Sequence, residues 1–157
     1  MNLTRTDCDF LLTAENAEMT EKEKFDNITG TIISRAIEVH RALGPGLLES
    51  AYESCLAFEL VEQGLKIYRQ KPSLVYRDVK LDCGYRLDIL VEESVIIEIK
   101  VTDNLAPIHK VQLLSYLKLS GCTVGLLINF NVQVPADGVI RIVNNFHDFP
   151  RSLRTLQ

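Results

Sequence analysis

The stretch Val95-Ile96-Ile97-Glu98-Ile99-Lys100-Val101 decides the fold, because it is apolar on both faces except at two positions. Such a run is typical of a strand inside a sheet that is covered on both sides. Charges are costly in that environment unless they have partners, so Glu98 and Lys100 indicate a chemical site as well as a strand. Side chains alternate along a strand, which puts both charges on one face, roughly 6.5 Å apart along the strand axis.

A second carboxylate, Asp88, lies on the strand predicted just before this one. If Val91 lies opposite Val95, a three-residue loop joins the two strands and Asp88 faces Glu98. A two-residue turn would pair Asp88 with Ile97 and send the two acids to opposite faces. The register of this hairpin therefore decides whether the two carboxylates meet.

The chemistry of such a carboxylate pair is that of a metal site. Two carboxylates a few ångströms apart repel each other, and one of them takes up a proton unless a cation intervenes. Hard oxygen ligands suit Mg²⁺, with Mn²⁺ next. A divalent ion there lowers the pKa of bound water and polarises a phosphoryl oxygen, while Lys100 orients the water or neutralises developing charge. A buried acid–lysine ion pair is the alternative that the spacing leaves open.

Two predicted helices carry further polar residues at helical spacing. Glu49 and Glu53 are four residues apart with Tyr52 beside them, so a carboxylate from this helix would complete a metal shell. The alternative is an exposed acid pair. On the later helix, a polar stripe of His109, Gln112 and Tyr116 offers hydrogen bonds to a phosphate or to water, and a solvated helix face is its alternative.

The remaining periodicity predicts one mixed sheet flanked by helices. An amphipathic helix runs from Ile28 to Leu43 and is stopped by Gly44-Pro45-Gly46. A helical crossover should make the strand after it parallel to a strand of the sheet. The other predicted elements are a helix over 47–63, strands over 65–76 and 80–91 with a turn at 77–79, a helix over 107–119, and strands over 123–130 and 139–143.

Length and composition favour a single globular domain. The chain has 157 residues, 46% of them hydrophobic and 24% charged, which suits one folded core. No apolar stretch reaches the ~18 residues of a membrane span, and residues 1–10 lack a secretory h-region, so we expect a cytoplasmic protein with no membrane partner. The cysteines Cys8, Cys55, Cys83 and Cys122 are scattered, which argues against disulfides or a zinc site.

The net charge of −4 is concentrated at the start of the chain. Residues 1–27 hold three basic and seven acidic residues and are predicted to be a mobile tail, whereas residues 28–157 hold 14 of each and form the domain. Residues 66–86 include six basic and two acidic residues. This local excess of positive charge could bind phosphates, although a solvated hairpin explains it as well. The candidate nucleic-acid contacts are Lys71, Arg77, Arg86, His109 and Lys110.

The helical and strand motifs together resemble a known family. The segment Gly46-Leu-Leu-Glu49-Ser-Ala-Tyr52-Glu53 is similar to the signature of the GxxExxY proteins, within the PD-(D/E)XK nuclease-like superfamily. The resemblance covers roughly residues 28–145 and leaves the tail out. Leu87 stands where the eponymous motif has proline, a residue that many members lack. The other matching elements are Asp88, Glu98-Ile-Lys100, His109-Lys-Val-Gln112-Leu-Leu-Ser-Tyr116-Leu and Val124-Gly-Leu-Leu-Ile-Asn129-Phe130.

The resemblance implies a fold, a metal site and an activity. The fold is a restriction-endonuclease-like α-β-β-β-α-β core, here with an extra N-terminal helix. Asp88 and Glu98 would bind Mg²⁺ with help from Glu49, Lys100 would assist the attacking water, and Gln112 and Tyr116 would line the site. The implied activity is Mg²⁺-dependent hydrolysis of phosphodiester bonds in DNA or RNA. The alternative is a non-catalytic module that binds nucleic acid or a partner, and the oligomeric state, a homo-oligomer included, is left open.

Overall fold

The computed structural model describes residues 19–71, 75–81 and 85–144. Those residues form helices and strands in the order that the sequence predicts, with one additional short hairpin. The elements are α1 Glu21–Leu43, α2 Glu49–Glu62, β1 Ile67–Lys71, β2 Val75–Tyr76, β3 Val79–Lys80, β4 Leu87–Val91, β5 Val95–Lys100, α3 Pro107–Ser120, β6 Val124–Asn129, a 3-10 turn Pro135–Gly138, and β7 Val139–Val143.

The main sheet has the strand order β1-β4-β5-β6-β7. β5 and β6 are parallel and are joined through α3, whereas the other three neighbouring pairs are antiparallel. This confirms the predicted mixed sheet, its helical crossover and its short final strand. The hairpin of β2 and β3 forms a separate two-stranded sheet.

Both faces of β5 are covered, as its apolar sequence requires. On one face, Ile97 and Ile99 belong to a core that includes the apolar stripe of α1 and the buried side of α2. On the other face, Ile96 packs with Leu113 and Leu117 of α3. The strand therefore lies between two layers of helices, and a charge on it is withdrawn from water unless it lies at an open end.

The first helix begins earlier than its apolar stripe predicts. α1 starts at Glu21, not at Ile28, so residues 21–27 are not part of a tail. Thr20 caps the helix: its hydroxyl accepts from the Glu23 N–H at 3.2 Å, and the Glu23 carboxylate accepts from the Thr20 N–H at 2.8 Å. The capping box starts the helix before its apolar stripe, and Phe25 in the added segment packs against the core. Residues 1–18 of the predicted tail lie outside the described residues.

The predicted strands over 65–76 and 80–91 are too long. Ile67 pairs with Val91 and Val75 pairs with Lys80, and these two registers differ by three residues, so the ladders cannot be continuous. Gln70 also adopts a left-handed backbone with φ of 50°, which interrupts regular pairing within β1. The predicted turn around Arg77 is confirmed.

Two findings concern the cysteines and the helices of the part of the chain that the structure describes. Cys55 and Cys122 are free thiols, while Cys8 and Cys83 lie outside the described residues. None of the described helices is long and apolar enough to cross a membrane.

Candidate active site

The β4–β5 hairpin has the register that brings the two acids together. Val91 pairs with Val95 and Ile89 with Ile97, leaving a three-residue turn as predicted. Past the Ile89–Ile97 pair, the contacts between the two strands are hydrogen bonds from backbone N–H groups to carboxylate side chains. The Asp88 Oδ2 accepts from the Ile99 N–H at 2.8 Å, and the Glu98 Oε1 lies 3.4 Å from the Asp88 nitrogen. Both carboxylates thus lie at the same end of the same strand pair.

Glu98 is buried where its negative charge is poorly compensated. Its residue is 4% exposed, and burial together with the neighbouring charge of Asp88 raises its pKa to about 8. Lys100 opposes this shift, but its Nζ is 4.0 Å from the Glu98 Oε2, too far for a strong hydrogen bond. The ion pair that the sequence left open therefore exists, yet it does not neutralise the site.

The pKa of Asp88 is raised, as that of Glu98 is. Burial raises its pKa, and the charges of Glu53 and Glu49 raise it further, against the Ile99 N–H and the Lys100 ammonium. Arg69 pairs with Glu53, so Lys100 is the cation that opposes the charges of Asp88, Glu98 and Glu49, and the site is short of positive charge. A cation bound between Asp88 and Glu98 would relieve both shifts at once.

Glu49 is the first residue of α2 and lies at the rim of this site. It is exposed, and its Oε1 accepts from the Val101 N–H at 3.3 Å, just beyond Lys100. Its charge contributes to the raised pKa of Asp88 and of Glu98. Within the described ranges, no three His, Cys, Asp or Glu side chains are grouped tightly enough to hold a metal by themselves. The predicted three-carboxylate shell is therefore not assembled; the structure offers a pair with Glu49 nearby.

The position of Glu49 is set by Tyr52. The buried Tyr52 hydroxyl donates to the Gly44 carbonyl at 2.5 Å and accepts from the Leu47 N–H at 3.1 Å, which holds the loop that enters α2. Its ring stacks on Phe130 with centroids 4.4 Å apart. Gly44 has a φ of 68°, a left-handed value that favours glycine. Within the Gly-x-x-Glu-x-x-Tyr pattern, Gly46 also has a left-handed φ of 102°, and Tyr52 holds the loop that leads to Glu49.

Gln112 and Tyr116 belong to α3, which covers the face of the sheet that also carries Asp88 and Glu98. The Gln112 Nε2 donates to the Tyr116 hydroxyl at 2.9 Å, and Tyr116 is buried. Burial raises the pKa of Tyr116, as do the charges of Glu98 and Asp88, so the phenol lies close to the acid pair. Tyr116 therefore does not lie on a solvated helix face, whereas Gln112 is half-buried.

The five predicted nucleic-acid contacts do not form one cluster with direct mutual contacts. The Lys71 ammonium lies 4.6 Å from the Tyr68 ring centroid, and Arg77 lies over Tyr76 on the β2–β3 hairpin. Arg86 and Lys110 are exposed, before β4 and on α3. His109 has a structural role, because its Nδ1 accepts from the Ala106 N–H at 3.1 Å and caps α3.

Glu53 is a site neighbour that the sequence did not single out from Glu49. It is 6% exposed, and its carboxylate accepts from the Arg69 Nε at 2.9 Å and the Gln70 Nε2 at 2.7 Å. Among charged groups, it raises the pKa of Asp88 the most. The helical spacing predicted that Glu53 shares a face of α2 with Glu49. Nothing in that spacing showed that two side chains of β1 would pair with Glu53.

Asn129 is a second residue that the pattern did not assign. It ends β6, pairs in register with Lys100 and is 3% exposed. Its side chain accepts from the Thr102 N–H at 3.2 Å, donates to the Thr102 carbonyl at 2.8 Å and accepts from the Asn131 N–H at 3.1 Å. Asn129 therefore fixes the chain that leaves β5 directly after Lys100.

The sequence also matches a known family over most of its length. The sequence model of the PD-(D/E)XK nuclease superfamily matches residues 26–142. The chain belongs to this superfamily. Its mixed five-stranded sheet between helices is the restriction-endonuclease-like fold that the sequence predicted. Nucleases of the PD-(D/E)XK superfamily are generally dependent on divalent metals.

Comparison with individual proteins adds little to the PD-(D/E)XK assignment. Among solved structures, the crystal structure of LHK-Exo in complex with dAMP is similar at 13% identity, covering 74% of this chain and 83% of that chain. Its TM-score of 0.40 is too low to support any inference. No curated protein gives a significant match.

Proposed function

We propose that this protein is a metal-dependent nuclease that hydrolyses phosphodiester bonds in nucleic acid, with Mg²⁺ as its ion and Mn²⁺ as a substitute. The observation that carries the proposal is Glu98, buried beside Asp88 with a raised pKa and only a distant lysine. A purely structural acid in a core is normally satisfied by partners. This one is arranged to accept a cation.

The donor set fits a hard divalent ion. Asp88 and Glu98 would hold it through carboxylate oxygens, and Glu49 lies at the rim where a small movement would bring it closer. Mg²⁺ commonly keeps several waters and uses one or two protein carboxylates, so a third protein ligand is not required. When bound, such an ion lowers the pKa of a water and polarises a phosphoryl oxygen.

Lys100 shares the face of Glu98 and is half-buried at the open end of β5. Its ammonium would donate a hydrogen bond to the attacking water and would stabilise the negative charge that develops on the phosphate. The loose 4.0 Å contact with Glu98 favours this role, because the ammonium is not tied up in a tight ion pair.

Tyr116 supplies a neutral hydrogen-bond donor. Because burial and the nearby acids raise its pKa, the phenol keeps its proton at neutral pH. The hydroxyl accepts from Gln112, which leaves its own O–H free to donate to a phosphate oxygen. The two α3 residues would thus orient the substrate without adding negative charge.

A second candidate is a non-catalytic module that binds nucleic acid or a partner. The balance of 14 basic and 14 acidic residues over 28–157 favours it, because tight binding to a duplex usually needs many phosphate contacts. Two narrower predictions accompany the first proposal. Membership of the GxxExxY proteins is supported by the geometry of Glu49 and Tyr52, and a cytoplasmic location is predicted from composition.

A nuclease assay tests the proposal directly. Wild type, Asp88→Ala and Lys100→Ala would be incubated with single- and double-stranded DNA and RNA, with Mg²⁺, with Mn²⁺ and with EDTA. Glu62→Ala, an exposed acid near the far end of α2, is the matched control. We expect metal-dependent cleavage by wild type and the control, and none by the two site variants.

Two outcomes would contradict the proposal. Cleavage that persists in Asp88→Ala and Lys100→Ala would come from a contaminant or from another site. A wild-type protein that cleaves none of the substrates would favour the binding module.

A further inference from the structure

We infer that the substrate is single-stranded nucleic acid, whose bases stack on the exposed tyrosines of the β2–β3 hairpin and of the segment before β4. This inference rests on the proposed function and names its substrate class. It concerns the surface formed by residues 75–80 together with Tyr85 and Arg86, here called the tyrosine surface.

The tyrosine surface exposes several large apolar side chains to solvent. Val75, Tyr76 and Val79 are 38%, 56% and 58% exposed, and Tyr85 is 49% exposed. An isolated two-stranded hairpin is marginally stable, and large exposed apolar groups that are clustered indicate an interaction site. The hairpin therefore has a feature that packing within this chain does not explain.

The chemistry of this surface repeats along the chain. A tyrosine is followed by an arginine at Tyr76-Arg77 and again at Tyr85-Arg86. The Arg77 guanidinium lies over the Tyr76 ring, 5.5 Å from its centroid. An exposed aromatic ring next to a guanidinium suits a nucleotide, because the ring stacks on the base while the cation meets the phosphate.

The charge of the surface favours an anionic occupant. Its described residues include three basic residues, Arg77, Lys80 and Arg86, and one acidic residue, Asp78. Residues 28–157 hold 14 basic and 14 acidic residues, so the domain as a whole has no excess of positive charge. Stacking can supply the affinity that phosphate contacts alone would not, and stacking on exposed rings requires unpaired bases.

The tyrosine surface lies beside the candidate active site. β2 contacts α3, the helix that carries Gln112 and Tyr116. Tyr85 and Arg86 directly precede β4, whose second residue is Asp88. The phenol of Tyr85 is also close enough to Tyr116 to raise the pKa of Tyr116. A strand held on these tyrosines would therefore pass the acid pair.

Binding measured without cleavage tests this inference. Labelled DNA and RNA oligonucleotides of one mixed sequence, single-stranded or annealed to their complements, would be titrated with protein in EDTA and followed by fluorescence anisotropy. The variants are Tyr76→Ala and Tyr85→Ala. Phe58→Ala is the matched control, since Phe58 is an aromatic residue of similar exposure on α2, which covers the opposite face of the sheet.

We expect wild type to bind single strands more tightly than duplexes. Each tyrosine variant should weaken single-strand binding by about 5- to 150-fold, which corresponds to the loss of one base-stacking ring. Phe58→Ala should bind as wild type does. Unchanged single-strand affinity in both tyrosine variants would overturn the inference, as would a preference for duplexes.

Failure of this inference differs from failure of the proposed nuclease activity. Metal-dependent cleavage that needs Asp88, with binding that ignores Tyr76 and Tyr85, would leave the activity standing and remove the tyrosine surface. Tyrosine-dependent binding by a protein that cleaves nothing would do the reverse. If wild type binds none of the oligonucleotides, the surface serves a protein partner and the inference is wrong.

Discussion

Two glutamates within the described residues, Glu53 on α2 and Glu98 on β5, are buried to a similar degree but have opposite surroundings. Glu53 is 6% exposed and Glu98 is 4% exposed. The Glu53 carboxylate accepts from Arg69 at 2.9 Å and from Gln70 at 2.7 Å. The Glu98 carboxylate has a backbone N–H at 3.4 Å and an ammonium at 4.0 Å.

The difference separates a buried acid whose charge is satisfied by partners from one whose charge is not. A buried carboxylate with two short hydrogen bonds contributes to a fold, since its desolvation is offset by partners. A buried carboxylate with long contacts and an acidic neighbour is a cost to the fold. Asp88 is half-buried beside Glu98, at the end of β4 and β5 that also carries Lys100. Under the proposed function, a cation bound by the two acids would offset this cost.

The largest expected effect is on cleavage. Glu98→Gln should lower kcat by about 10²–10³-fold, because it removes a group that holds the metal and its polarising charge. Glu53→Gln should lower kcat by less than about 10-fold, as expected for a residue behind the ligands. Initial rates at saturating substrate and Mg²⁺ measure both. An equal loss of kcat in Glu98→Gln and Glu53→Gln would show that the two glutamates do not differ in their role in cleavage.

The next effect is the pH dependence of stability without metal. Burial and Asp88 raise the pKa of Glu98 from 4.5 to about 8. Between those values the folded protein holds a proton that the unfolded chain has lost. The stability from this group is therefore full below pH 4.5 and falls as pH rises through 8, by up to about 1.4 kcal/mol per pH unit.

Urea unfolding in EDTA from pH 5 to pH 9 would measure this slope. Glu98→Gln should flatten it, because the amide does not titrate, whereas Glu53→Gln should retain it. An identical slope in wild type and Glu98→Gln would show that other groups cause the pH dependence.

Stability at a fixed pH should rank the two glutamates in the reverse order of activity. Glu53→Ala should lower the free energy of unfolding by about 1–3 kcal/mol, because it leaves the Gln70 amide and the Arg69 guanidinium without their acceptor. Glu98→Gln at pH 8 should cost little or should stabilise the protein, since a neutral amide replaces a poorly paired charge. Urea midpoints with unchanged slopes would establish the ranking, and a destabilised Glu98→Gln would oppose it.

The smallest effect concerns the loop that positions Glu49. Tyr52→Phe should lower the free energy of unfolding by about 0.5–1.5 kcal/mol, since it removes hydrogen bonds to Gly44 and Leu47 but keeps the stacking on Phe130. Cleavage should fall only modestly, because Glu49 is at the rim. Thermal melts paired with rate measurements test this, and a loss of activity as large as that of Glu98→Gln would make Glu49 a principal ligand.

The hairpin register is the part of the site that the sequence predicted best. Val91 and Val95 belong to apolar strands, so the register that keeps apolar residues on matching faces also brings Asp88 to Glu98. The crossover and the parallel β6 followed in the same way from a buried run on either side of an amphipathic segment. These features were predictable because hydrophobic periodicity extends over many residues, so it determines strand pairing more strongly than the preference of any single residue does.

Other features depended on single contacts that no period reveals. The start of α1 was wrong by seven residues because the apolar stripe was taken as its boundary, although Thr20 and Glu23 have the spacing of a capping box. Glu53 bonds to the adjacent residues Arg69 and Gln70, and Gln70 has a left-handed backbone that its residue type does not suggest. Asn129 bonds to loop backbone around Thr102, and such contacts leave no spacing signal.

The most direct test of the account is calorimetric titration of the metal-free protein with Mg²⁺ at pH 7, in buffers of different ionisation enthalpy. The account predicts that wild type and Glu53→Gln bind Mg²⁺ and release up to about one proton, because the ion displaces the proton that Glu98 holds. Glu98→Gln should bind far more weakly and release none. Equal Mg²⁺ affinity in wild type and Glu98→Gln would contradict the central claim that Glu98 is buried and underpaired in order to hold a metal.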